Sequence, residues 1–178
     1  MTERLAKGYL QVYTGNGKGK TTAAVGLSIR ALGNGLKIYF VQFMKDYPYG
    51  EVKILESFAP DLILRRYGND SFVFEKKQPS TKLKRIVRQG LEEAEQAMLS
   101  GKYDLVVLDE VLVSIYFGLF STEEILSFIR KRPPAVELIL TGRYCPQSIK
   151  KISDLVTEMK EVKHYYKQGV KARKGIES

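Results

Sequence analysis

The stretch VYTGNGKGKTTAAVG, residues 12 to 26, limits the possible folds of this chain more than any other. An apolar run leads into it, a helix-like run leaves it, and Gly15, Gly17 and Gly19 alternate with Asn16 and Lys18 in between. Glycines let successive backbone N–H groups turn inward as an anion nest, and the positive end of a following helix strengthens that nest. Such a chain has to fold as strand, tight loop and helix in immediate succession.

The Walker A pattern is a glycine, four free positions, then Gly-Lys-Ser/Thr. Gly19, Lys20 and Thr21 supply its second half, while the position of the first glycine holds Thr14. The physics survives that departure, because Gly15 and Gly17 lie inside the loop. Lys20 would neutralise phosphate oxygens, the Thr21 hydroxyl would ligate magnesium, and Lys18 adds a second cation. A glycine-rich turn without a ligand is the alternative, but the strand, loop, Lys-Thr pair and helix all occur in order.

Short apolar runs alternate with amphipathic ones along the rest of the chain. Strands are expected at Tyr9–Tyr13, Lys37–Phe43, Leu62–Tyr67, Leu105–Leu108, Val136–Leu140 and Leu155–Met159. A helix runs from Lys20 to about Leu32 and stops at Gly33 and Gly35. Leu83, Ile86, Val87, Leu91, Ala94 and Met98 fall at helical spacing on one face. Ser121 with Glu124 forms a capping-box start for a helix carrying Ile125, Leu126 and Ile129. Tyr67 to Thr81 reads as irregular. Alternating strands and helices imply right-handed crossovers between parallel strands, so the fold class is α/β with helices on both faces of the sheet. Ligands of such sheets sit at the carboxyl ends of the strands, where Thr14, Asp109, Glu110 and Thr141 should share one rim.

The segment DLVVLDE, Asp104 to Glu110, is an apolar strand ending in two carboxylates, as in a Walker B element. Alone, Asp109 and Glu110 are an acidic pair at a strand end. With the glycine loop they make a magnesium-nucleotide site.

Composition narrows the remaining classes. With 178 residues and 44% hydrophobic side chains the chain fits one domain with a sizeable core. Its longest mainly apolar stretch, Val111 to Phe120, is too short to span a bilayer, which points to a soluble, cytoplasmic protein. One cysteine, Cys145, excludes an internal disulfide, and with His164 as the single histidine there is no Cys/His zinc cluster. Cys145 reads as a plain, partly buried thiol. The formal charge of +9, from 29 Lys and Arg against 20 Asp and Glu, favours an anionic partner. Basic residues gather around Lys76–Arg88 and in the closing segment 160–178.

Beyond the two phosphate-binding elements stand VQFMK at 41–45, TGR at 141–143, LVTEMKEVKH at 155–164 and GVKARKGIE at 169–177. Together with TGNGKGKTTAA they resemble the P-loop ATP:corrinoid adenosyltransferases, the cob(I)alamin adenosyltransferases of the CobA/BtuR kind. The resemblance runs in order from about Tyr9 to Glu177, and Thr14 is part of that family's loop. It implies a P-loop NTPase (RecA-like) architecture with about six strands in a mainly parallel sheet. It also implies a reaction unlike hydrolysis: a Co(I) corrinoid attacks the 5′ carbon of ATP, forms a cobalt–carbon bond and releases triphosphate. No general base is then required, and the protein contributes positioning and charge.

Carried onto this chain, the resemblance puts Gly15, Asn16, Gly17, Lys18, Gly19, Lys20, Thr21 and Thr22 around the phosphates. Lys20, Thr21 and Glu110 act on the departing triphosphate, with Thr21, Asp109 and Glu110 as the magnesium set and Arg30 reaching toward the ribose or base. Phe72 and Phe74, in SFVFEK, align with an aromatic pair that displaces the lower ligand of the corrinoid, although Phe74 stands where the family has tryptophan. Phenylalanine still excludes water but fills less volume and lacks the indole N–H. His164 reads as structural or as lining the site, since an imidazole on cobalt would add the ligand that has to leave. The basic closing segment reads as a cover over the site or a dimer contact. A homodimer and a flavodoxin-like or flavin reductant complete what the resemblance implies.

Two other readings remain at this point. Asp109 and Glu110 could place a water in a P-loop ATPase or phosphotransferase that yields ADP. The positive charge and basic tail could also serve a nucleic-acid-binding module, although the family resemblance disfavours nucleic acid.

Overall fold

The computed structural model describes residues 4–47, 49–74 and 78–177, the Phe74 side chain excepted. Six strands form one sheet: β1 (Leu10–Thr14), β2 (Ile38–Phe43), β3 (Leu62–Tyr67), β4 (Leu105–Asp109), β5 (Glu137–Thr141) and β6 (Leu155–Glu158). All neighbours are parallel, in the order β3-β2-β4-β5-β1-β6.

The central strands β2 and β4 are buried on both faces, with alternate residues divided between two cores, whereas the edge strand β6 is exposed along its length. Ile38 and Phe40 of β2 point to one core, Tyr39, Val41 and Phe43 to the other; in β4, Leu105 and Val107 oppose Val106 and Leu108. The smaller core is closed by α1 (Lys20–Gly33) and α2 (Gly50–Glu56) through Ala24, Ala31, Val52 and Leu55. The larger core is closed by α4 (Thr81–Leu99), α5 (Val111–Tyr116), α6 (Thr122–Arg130) and α7 (Gln147–Ile152), with α3 (Ser71–Phe74) at its margin. Burying apolar surface on both sides of a parallel sheet is the main stabilising term, at about 25 cal/mol per Å² removed from water.

Local chemistry sets the helix boundaries. Helix α4 begins where the Ser80 side chain accepts from Leu83 N, and its Leu83, Val87, Ala94 and Met98 form the buried stripe. Helix α6 carries the expected capping box: Ser121 Oγ accepts from Glu124 N at 3.2 Å, and Glu124 Oε2 accepts from Ser121 N at 2.7 Å. The stretch from Tyr67 to Thr81 is less irregular than its sequence indicates, because Ser71–Phe74 makes one helical turn. That turn also excludes a strand with alternating aromatics there.

Three strands matter most for the site. β5 lies between β1, which feeds the glycine loop, and β4, which ends in Asp109. Tyr13 is in register with Thr141, and Leu108 with Leu140, so Thr14, Asp109 and Thr141 come to one rim. Among the described residues no helix is long and apolar enough to cross a membrane.

Candidate active site

The glycine loop bends at Gly15, φ +100°, and opens α1 at Gly19, φ +119°, conformations that L side chains rarely adopt. It lies against the chain leaving β6: Gly17 N donates to Met159 O at 2.7 Å, and Asn16 Oδ1 accepts from Glu161 N at 3.1 Å. A Cβ at Gly17 would stand 2.8 Å from Met159 O and 2.9 Å from the Lys160 carbonyl. Glycine is therefore required there by close approach as well as by any ligand.

Lys20 is buried, and its ammonium curls back to donate to Gly17 O at 2.7 Å. Burial lowers its pKa, an effect opposed by the Glu110 carboxylate and reinforced by Arg143. The charge is thus held at the centre of the loop, where a phosphate would meet it.

Behind the loop stands a buried polar cluster centred on Asp109, which is 0% exposed. Its Oδ1 accepts from Thr21 Oγ1 at 2.9 Å and from Thr141 Oγ1 at 2.6 Å. Its Oδ2 accepts from Lys45 Nζ at 2.7 Å and from Gln42 Nε2 at 3.3 Å. Lys45 Nζ also donates to Thr21 Oγ1 at 2.9 Å. Burial alone would lower the Lys45 pKa; Asp109 and Glu110 more than offset it and hold the ammonium charged. Gln42 Oε1 is buried without a partner among the described residues.

Glu110 lies at φ +62° between β4 and α5, an uncommon conformation for a residue with a side chain. Its N–H donates to Thr141 Oγ1 at 3.0 Å, and its carboxyl faces the cavity. Burial, with Asp109 beside it, raises its pKa above the usual carboxyl range.

These groups surround a cavity of about 590 Å³, walled by residues Asn16 to Thr22, Lys45, Tyr49, Glu110 and Arg143. His164, Ile176 and Glu177 close its far side. Glu177 accepts from Lys18 Nζ at 2.8 Å, from Tyr165 Oη and from the Arg173 guanidinium, which together hold its carboxyl well below the usual range. The closing segment is therefore pinned to the glycine loop. His164 Nδ1 accepts from Tyr166 N at 3.1 Å, so it caps the short 3-10 turn Tyr165–Gln168 while lining the cavity.

Most of the residues singled out from the sequence converge here. Asn16, Gly17, Lys18, Gly19, Lys20, Thr21, Thr22 and Glu110 line the cavity. Asp109 lies directly behind Thr21, and Gly15 faces a smaller adjoining hollow of about 290 Å³ with Arg143 and Cys145. Two do not converge. Arg30 is exposed in the last turn of α1 and is not among the lining residues. Phe72 is only 7% exposed and packs edge-on against Phe117, with ring centroids 5.8 Å apart. The Phe74 side chain and Glu75 lie outside the described residues.

Sequence reasoning gave no role to Lys45, Gln42 or Arg143. The available signals were a glutamine inside the wholly buried strand IYFVQF, a lysine just beyond its carboxyl end, and an arginine just beyond β5.

The arrangement offers hard oxygen donors (Thr21 Oγ1, the Glu110 and Asp109 carboxylates) beside a lysine-bearing anion nest. That donor chemistry suits magnesium carried on a polyphosphate. Comparison with known proteins agrees with the site. Over the whole fold the chain resembles the flagellar accessory protein FlaH from Methanocaldococcus jannaschii, with a TM-score of 0.58 and 15% identity, covering 86% of this chain and 72% of that one. At that identity the likeness concerns the fold alone. Corrinoid adenosyltransferase of Escherichia coli (strain K12) is 36% identical over 172 residues, 96% of this chain and 86% of that protein. Corrinoid adenosyltransferase CobA of Salmonella typhimurium is 34% identical over the same shares. The family described as ATP:corrinoid adenosyltransferase BtuR/CobO/CobP matches residues 6–178, and the chain belongs to that family.

Proposed function

We propose that this protein transfers the 5′-deoxyadenosyl group of ATP to the cobalt of a Co(I) corrinoid and releases triphosphate. Family membership over residues 6–178 carries this reading, and the chemistry of the cavity supports it. The cobalt electron pair forms the bond to C5′ as the C5′–O bond breaks, and that bond's pair leaves on the triphosphate oxygen. The substrate is the nucleophile, so no protein base is needed.

What the chain must do is hold a highly charged leaving group. The glycine loop would meet it with its backbone N–H groups, apart from that of Gly17, which is donated to Met159 O, and Lys20 meets it with a buried ammonium. Such preorganised donors are worth about 2.7–4 kcal/mol each where charge moves in a transition state. Thr21, Asp109 and Glu110 would hold magnesium, and Asp109 would also orient Thr21 through the 2.9 Å hydrogen bond. Magnesium bound there would supply further positive charge against the departing triphosphate. Arg143, on the cavity wall, adds a cation from a third strand end.

On the corrinoid side, the family resemblance assigns Phe72 and Phe74, and Phe72, in α3, is buried in the larger core. Phe74→Ala should spare transfer to chemically pre-reduced Co(I) and slow the coupled reaction that starts from Co(II). Equal losses in both assays would give Phe74 a structural role only. A homodimer, an acidic flavodoxin-like or flavin reductant docking on the +9 surface, and a cytoplasmic location belong to the same reading. Its direct test is incubation of the pure protein with magnesium ATP and reduced corrinoid: a light-sensitive adenosylated corrinoid is expected, and its absence would remove the assignment.

A further inference from the structure

Lys45 is the feature of this site that the reaction as described leaves unused. It follows Met44, whose φ of +57° turns the chain sharply after β2 and sends the lysine back under the glycine loop. Its ammonium bridges two oxygens, Asp109 Oδ2 at 2.7 Å and Thr21 Oγ1 at 2.9 Å. Those two residues are themselves joined at 2.9 Å, so ammonium, hydroxyl and carboxylate form a closed triangle. The lysine side chain is only 12% exposed, with the Tyr49 ring 5.4 Å from Nζ on its outer side. No lone charge could be buried there without its partners.

We propose that Lys45 is a built-in counter-ion. It neutralises the cation-binding oxygens of the nucleotide-free protein, keeps a divalent ion from settling there alone, and moves onto the polyphosphate when the metal arrives with the nucleotide. The inference rests on reading the cavity as a magnesium-triphosphate site and adds an order to it: nucleotide and metal enter together.

Three observations carry the idea. Both oxygens gripped by Lys45 belong to residues of the proposed metal set, so ammonium and divalent ion compete for the same lone pairs. Asp109 accepts from four protein donors, so its carboxylate is satisfied by the protein's own side chains. Lys45 also lines the cavity, within reach of the space beside Lys20 that a triphosphate would fill. Once displaced, the ammonium joins Lys20 and Arg143 as a further cation facing the leaving group.

The test is manganese binding to the full chain, followed by electron paramagnetic resonance of the free ion. Without nucleotide, the wild type and Lys45→Arg should leave manganese free at concentrations where Lys45→Met binds it, with at least a tenfold difference in affinity, about 1.4 kcal/mol. With ATP present all three should bind manganese, and Lys45→Met should hold manganese-ATP roughly tenfold more weakly because a charge-assisted contact to phosphate is lost. Should Lys45→Met fail to fold, Lys45→Gln retains a donor to Asp109 and serves in its place. Wild-type protein that binds manganese without nucleotide as tightly as the neutral variants would overturn the proposal, as would neutral variants that still exclude the ion. Manganese occupancy is read independently of product formation. A failure of adenosyl transfer with the expected manganese pattern would therefore remove the assigned reaction and leave the role of Lys45 standing.

Discussion

Replacing Asp109 by asparagine tests the buried cluster at its centre. The carboxylate accepts four hydrogen bonds, from Thr21, Thr141, Lys45 and Gln42, and donates none. An amide has one oxygen and one NH2. If its oxygen keeps the two threonine hydroxyls, its NH2 faces the Lys45 ammonium and the Gln42 amide, donor against donor. The lysine is then a buried charge without its main partner, a change that costs about 3–5 kcal/mol. Glu110 and Glu51 also act favourably on Lys45, so the lower end, about 3 kcal/mol, is expected. For a domain of this size that corresponds to a fall in Tm of about 6–12 °C. Pairing the change with Lys45→Met should recover part of the loss. The amide NH2 can then turn to Gln42 Oε1, which has no partner among the described residues, while its oxygen keeps the threonines. A double-mutant cycle by urea unfolding of the nucleotide-free protein should give a coupling of about 1–3 kcal/mol. Single and double variants that add to within about 0.5 kcal/mol would refute the claim that these side chains form one charge-balanced unit.

Three further outcomes follow from the geometry. Gly17→Ala puts a Cβ 2.8 Å from Met159 O, where only backbone can yield; a loss of about 1–3 kcal/mol in thermal stability and weaker ATP binding are expected, and unchanged ATP affinity would contradict the packing described. Glu110 has a folded pKa above its ordinary value of 4.5, so folding favours its protonated form and stability falls as pH rises through the folded value. Glu110→Gln should therefore raise Tm of the nucleotide-free protein at pH 7 while impairing transfer, with the advantage vanishing below about pH 4; a lower Tm at pH 7 would refute it. Burial pushes the Cys145 thiol from 9.0 up to about 11, so alkylation by iodoacetamide at pH 8 should run about a hundredfold slower than for an ordinary thiol, and rapid labelling would show an activated thiolate.

Much of the fold was legible because its signals are local. The central strands were apolar runs bounded by charges or turn residues, and period-two alternation into two cores is what a parallel sheet covered on both faces produces. The start of α6 was written in Ser121 and Glu124. Helix α5 was harder: Val111–Phe120 is so uniformly apolar that periodicity cannot separate helix from strand, and the break comes from Glu110 at positive φ, which has no compositional mark. Helices α2 and α7, at 7 and 6 residues, are too short to show a stripe.

The site divides the same way. Gly15 to Thr22 are consecutive, so their common purpose is visible in the chain itself. Lys45 meets Asp109 across 64 positions of sequence, and Arg143 and Glu177 arrive from still further along. Only the rule that strand ends share a rim could have drawn Lys45 in. Lys18, whose place in the loop suggests a phosphate ligand, lines the cavity and also holds the closing segment through Glu177 and Tyr165. A loop residue's position alone does not say whether its charge serves the ligand or the fold.

The central claim is that the loop holds a leaving group and that carbon, not phosphorus, is attacked. Phosphorus NMR of the products from magnesium ATP, with and without pre-reduced corrinoid, tests it most directly. Inorganic triphosphate appearing only when corrinoid is present is the expected result. ADP and orthophosphate appearing without corrinoid would mean that the same loop and carboxylates serve phosphoryl transfer, and would contradict the account.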